Sequence, residues 1–170
     1  DQLLSPDEAI FAYQILDLYN GGPIFFYYDF VKYFGITNGL AAFPFFWVIG
    51  IGALAFKLPA TLFYALYILS TYWLVKKIQP QAALTVILLM IFTSPSIWSL
   101  TTLNYGVGLV CFLGNLIFLS FFKVKEIGGS KPFYAFLLGF FIGFAIYTFT
   151  YSIVYIGTTL ILFVLTNDYW

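Results

Sequence analysis

The sequence has no histidine and no arginine, and only one cysteine and one methionine in 170 residues. Without histidine it lacks the side chain most often used as a general base or metal ligand near neutral pH. Without arginine it has no bidentate clamp for a phosphate, so any phosphate must be met by lysine, backbone amides or a metal. Cys111 stands alone in an apolar run; it forms no internal disulfide and reads as a small packed residue. Charge is the scarcest property. Only 8% of residues are charged, seven lysines against seven acids, whereas soluble domains carry about 25%. The zero net charge argues against a nucleic-acid partner. The opening residues are polar and are not expected to act as a signal peptide.

What is present is hydrophobic. Apolar side chains make up 62% of the chain, more than a water-soluble core of this size can hide. Residues 78 to 122 carry no charge, and neither do residues 132 to 167. A helix needs about 20 such residues to cross a hydrocarbon core. A β-barrel would require short stretches alternating apolar and polar, but residues 82 to 92 are apolar on every side except at Thr85. The expected fold is therefore all-α: a polytopic helical bundle in a lipid bilayer. Residues 1–56 form a polar and aromatic outer-face loop with juxtamembrane helices, and residues 57–170 a bundle of about five spans, at 58–75, 82–100, 106–122, 133–149 and 152–165. The chain opens at Asp1 without an initiator methionine and ends just after an apolar run. It is expected to be a fragment, with one span upstream and more downstream.

The first twenty residues carry the most local information. Ser5-Pro6-Asp7-Glu8 has the form of a helix start: an N-cap serine, a proline at the first helical position, and an S-x-x-E capping box. Gly21-Gly22-Pro23 supplies a stop. The intervening helix is too short and polar to span and suits the membrane surface. The aromatic run from Phe25 to Phe30 suits the water–lipid boundary. Residues 39 to 56 are apolar but short, broken by Pro44 and rich in glycine, and read as a half-buried outer-face helix. Lys76-Lys77 and the cluster Lys123, Lys125 and Lys131 mark cytoplasmic loops by the positive-inside rule, which puts Lys57 and Asp7 outside.

No metal-ligand cluster, nucleophile elbow or phosphate loop stands out. No ionisable side chain lies in the middle of an expected span, which weighs against an ion-coupled carrier. Asn115 reads as a hydrogen-bonding group between packed helices, and Ser94-Pro95 as a kink or helix end. Asp7 and Glu8 admit two compatible readings: service to the helix start, or an acidic pair at the bilayer surface that activates a hydroxyl or holds a metal.

The order of these features resembles the membrane glycosyltransferases of the GT-C class, in particular the dolichyl-phosphate-mannose protein mannosyltransferase-like group (glycosyltransferase family 39 and its bacterial relatives). The resemblance rests on Ser5-Pro6-Asp7-Glu8-Ala9 with its helix ending at Gly21-Gly22, on Phe56-Lys57-Leu58-Pro59-Ala60, on Lys76-Lys77, on Gln81-Ala82-Ala83-Leu84 with Thr93-Ser94-Pro95, and on the Gly-rich, Thr/aromatic stretch from Gly139 to Tyr151. It departs from the family at residues 37–45, which lack a basic-Pro-Pro element, and at Leu103-Asn104-Tyr105, where an Asp is common.

The resemblance implies an inverting transferase of the prokaryotic plasma membrane. It would move a sugar from a polyprenyl-phosphate donor to a protein, lipid or glycan acceptor on the outer face. Asp7 would be the general base and Glu8 would orient the acceptor or the helix start. Lys57 and Lys32 would meet the leaving phosphate, with a divalent metal as a possible partner. Tyr27, Tyr28 and Asp29 would line the sugar pocket. The competing class is a non-enzymatic membrane protein, a transporter, flippase or scaffold, in which Asp7 and Glu8 serve folding alone.

Overall fold

The computed structural model describes residues 4–29, 31–92, 106–127 and 132–166, with the side chains of residues 31–33 left out. Helix α1 (Pro6–Tyr19) begins as the sequence dictates. The Ser5 hydroxyl accepts from the Glu8 amide at 3.2 Å while the Glu8 carboxylate accepts from the Ser5 amide at 2.9 Å, closing the capping box. It ends where Gly21 takes φ +90°, a left-handed conformation that glycine adopts without steric cost.

A small antiparallel hairpin follows, β1 (Tyr27–Tyr28) with β2 (Val31–Gly35), in the register Tyr27 opposite Gly35 and Tyr28 opposite Val31. This hairpin corrects the all-α expectation at one point. Two short helices come next, α2 (Thr37–Leu40) and α3 (Phe43–Ile49), and the Gly50–Gly52 break separates them from α4 (Ala53–Ile78). At about 1.5 Å per residue, α3 is about 10 Å long and cannot cross a bilayer. It is a short helix with Trp47 and Val48 exposed; residues 39 to 56 do not form the single helix expected, since α2 and α3 divide the segment and its last four residues belong to α4.

Helix α4 starts five residues earlier than the expected span and carries Pro59 inside it, which removes only one intrahelical hydrogen bond. A 3₁₀ turn (Pro80–Ala82) leads to α5 (Ala83–Ile91). Ser94-Pro95 and the turn before Gly106 lie outside the described residues. Then come α6 (Val107–Glu126), α7 (Pro132–Thr148), a second 3₁₀ turn (Thr150–Ser152) and α8 (Ile153–Leu165). Two of these helices, α4 and α6, are long and apolar enough to cross a membrane; α7 and α8 are apolar but shorter.

Two cores hold the molecule. The N-terminal one joins Phe11 and Ile15 of α1 to Tyr28, Ile36, Ala42, Phe46 and the first turn of α4 through Ala55 and Phe56. Gly39 lets α2 approach α1 closely, because a Cβ there would collide with Ile15 and the Tyr28 hydroxyl. The bundle core is centred on α6, with Leu109, Leu113 and Ile117 packed on Ala145 of α7 and on Phe63, Phe141, Phe144 and Tyr155. Asn115 donates to the Ser70 hydroxyl at 3.0 Å and the Thr71 hydroxyl at 2.8 Å, tying α6 to α4 as its mid-helix position led us to expect. Cys111, half-buried on α6, is a free thiol.

The ends of the bundle are distinct. At one end the Lys77 ammonium pairs with the Glu126 carboxylate, joining the C-terminal ends of α4 and α6. At the other, Phe34 of the hairpin stacks on Phe149 with ring centroids 4.1 Å apart.

Candidate functional site

The acidic pair at the start of α1 splits in environment, because successive side chains on a helix leave it in different directions. Asp7 is exposed on the first turn. Glu8 is fully buried, at 0% exposure, and its Oε2 lies 3.3 Å from Lys57 Nζ, while the Lys57 side chain keeps 34% of its surface. A carboxylate taken out of water costs several kcal/mol unless it gains a counter-charge and hydrogen bonds. Here Lys57 supplies the charge and the Ser5 amide a hydrogen bond. Glu8 therefore seals α1 onto the second turn of α4, and Asp7, one residue earlier, is held at that junction.

The exposed face of α1 continues from Asp7. Ile10, Gln14 and Asp17 follow it at spacings of three, four and three residues, which place side chains along one helix face. With Ala9, Tyr13 and Asp29 they line an open cleft of about 520 Å³. Asp29, in the hairpin turn, is fixed there by Gln14, whose Nε2 donates to Asp29 Oδ2 at 2.9 Å. Gln14, Asp17 and Tyr13 were not singled out from the sequence, although the repeat of polar residues along α1 is the signal that marks them.

The other sequence candidates fall elsewhere. The Tyr28 ring is buried, 3% exposed, at 4.3 Å from the Phe11 ring centroid. Burial and the nearby Tyr147 phenol push its hydroxyl well above the usual phenol range. That hydroxyl abuts the Gly39 backbone without a well-formed hydrogen bond. Tyr27 is partly exposed and meets the Tyr147 ring edge-on at 5.5 Å. Tyr147 in turn donates its hydroxyl to the Phe26 carbonyl at 2.9 Å, so the hairpin is latched to the end of α7. The side chain of Lys32 lies outside the described residues. Thus the structure brings together Glu8 and Lys57, with Asp7 adjacent in sequence and exposed, sets Asp29 against Gln14 of α1 as a wall of the cleft, and turns Tyr28 inward.

Chemically, the start of α1 offers an exposed carboxylate, Asp7, one residue before the buried acid that pairs with Lys57, and the same helix carries the polar side chains Gln14 and Asp17 into the cleft. Among the described residues no group of three or more acids, cysteines or histidines gathers to hold a metal ion. Comparison with family models, with curated proteins and with solved structures finds no match to this chain.

Proposed function

We propose that the protein is a polytopic membrane glycosyltransferase that moves a sugar from a polyprenyl-phosphate carrier to an acceptor on the outer face, with Asp7 as general base. The observation that carries this reading is the division of labour at the start of α1: Glu8 is buried on Lys57, and that anchoring holds the exposed Asp7 where the first long apolar helix begins. A carrier lipid can keep its tail beside α4 while its sugar phosphate emerges at that level. Asp7 accepts the proton of the acceptor hydroxyl as its oxygen bonds to the anomeric carbon. The bond from that carbon to the phosphate oxygen breaks in line, and its electron pair leaves with the lipid phosphate, inverting the centre. Lys57, still one-third exposed, faces the developing charge. The cleft of Tyr13, Gln14, Asp17 and Asp29 suits the hydroxyls of a protein, lipid or glycan acceptor.

Membrane embedding is supported by α4 and α6 and by large apolar side chains facing outward along the bundle, among them Leu62, Leu69, Leu88, Phe136, Phe140 and Phe163. Exposed apolar surface on this scale marks a contact with lipid or another apolar phase. The deciding experiment is sugar transfer by the full-length protein in liposomes. Asp7→Asn should lower turnover about 10²- to 10⁴-fold while donor binding persists. Unchanged turnover would sink the assignment and favour the non-enzymatic class, in which Asp7 only supports the helix start.

A further inference from the structure

The bundle end opposite Asp7 concentrates positive charge that the described residues neutralise only in part. Lys76 and Lys77 close α4, Lys123 and Lys125 close α6, and these helices pack side by side. Glu126 is the one acid described there, and it draws in both Lys77 and Lys123, the latter at 2.9 Å. Lysines in a last turn are ordinarily explained by the helix dipole, whose C-terminal end carries about half a negative charge. Two such ends and one glutamate supply about two negative charges against four lysines, which leaves an excess of about two. The placement of the excess is also specific. Lys76 Nζ lies 5.4 Å above the Tyr72 ring, held by that ring's electron-rich face, and Trp73 is half exposed beside it. An aromatic collar next to fixed ammonium groups is the pattern of a lipid headgroup level.

We propose that this end is a binding site for anionic phospholipid headgroups, with Lys76 and Lys125 meeting the phosphate and the Glu126 bridge holding the two helix ends at a fixed separation. The proposal rests on the membrane embedding argued above but not on the sugar-transfer chemistry at the far end. Glu126 limits the charge and makes the site a clamp between two helices, since it removes Lys77 and Lys123 as independent, mobile cations.

The test uses the full-length protein purified in a neutral detergent, with retained lipid counted by native mass spectrometry. Dioleoylphosphatidylglycerol is expected to be retained roughly thirtyfold over dioleoylphosphatidylcholine, and the Lys76→Gln/Lys125→Gln double variant to lose roughly that factor, since each lysine near an anionic surface contributes roughly fivefold. The Lys76→Arg/Lys125→Arg variant keeps the charge and should keep the preference. Equal retention of the two lipids, or an unchanged preference in the glutamine variant, overturns the proposal. So does displacement of the anionic lipid by millimolar inorganic phosphate, which would assign the site to free phosphate. Failure of the membrane reading itself is seen separately, as recovery of the protein in the soluble fraction before any detergent is added. Inactivity of Asp7 in sugar transfer would leave these outcomes untouched.

Discussion

At the scale of single residues, neighbours in sequence have unlike fates. Asp7 and Glu8 read alike as a pair, yet the helix turn sends one to solvent and the other against Lys57. If Glu8 is chiefly a structural acid, Lys57→Ala should destabilise the protein by about 2 kcal/mol, less than the cost of a fully stranded buried charge because Lys57 is partly exposed. Thermal unfolding of Lys57→Ala, Glu8→Gln and the double variant should give a coupling of at least about 1 kcal/mol; additive effects would refute the pairing. Tyr28 offers a second test. Its buried hydroxyl lacks a well-formed partner, so Tyr28→Phe should leave stability unchanged or raise it by about 1 kcal/mol. The pH dependence has a definite sign. The folded phenol titrates above the ordinary value of 10.0, so the fold favours the protonated form, whose contribution is complete below that value and fades as pH rises past it. The Phe variant should lose less stability than the parent above that value, as read by alkaline unfolding followed by circular dichroism.

At the scale of elements, legibility followed the strength of local rules. The capping box, the Gly21 stop and the long helices were all readable, because caps and unbroken apolar runs act over a few residues. The hairpin was not. Its strands are only two and five residues long and show no sustained apolar–polar alternation, and their pairing is supported from outside by Phe149 and Tyr147. The start of α4 was also missed: the expected span begins at residue 58, after Lys57, but the glycines at 50 and 52 set the true boundary. The α4–α6 pair rests partly on Asn115, whose amide reaches two hydroxyls and the Tyr67 carbonyl. Asn115→Leu should therefore lower the unfolding midpoint in detergent by a few degrees, equivalent to about 1 kcal/mol, and a rise would show that the network is a burden.

Over the whole molecule, the sequence predicted which ends of the helices belong together. The Lys77–Glu126 pair joins the two basic ends, and Lys57 lies twenty residues earlier on α4, about 30 Å away at 1.5 Å per residue. That separation matches the thickness of a hydrocarbon core. What sequence could not supply was the cleft. Its walls come from α1 and the turn after β1, and only the docking of the hairpin brings Asp29 to Gln14. The orientation is open to a direct check. In a full-length Cys111→Ala background, a cysteine replacing Ala9 should react in intact cells with a membrane-impermeant thiol reagent. One replacing Lys125 should react only after lysis. The reverse pattern would put Asp7 inside and remove the main support for the transferase reading.

The Glu8–Lys57 contact also constrains the order of events while the chain is being made. The helix bearing Asp7 emerges from the ribosome roughly fifty residues before its counter-ion does. Until Lys57 arrives, Glu8 must stay hydrated and the first helix cannot settle into its seat. A nascent chain stalled before Lys57 should therefore leave that segment open to protease, and one stalled beyond Phe56 and Lys57 should protect it.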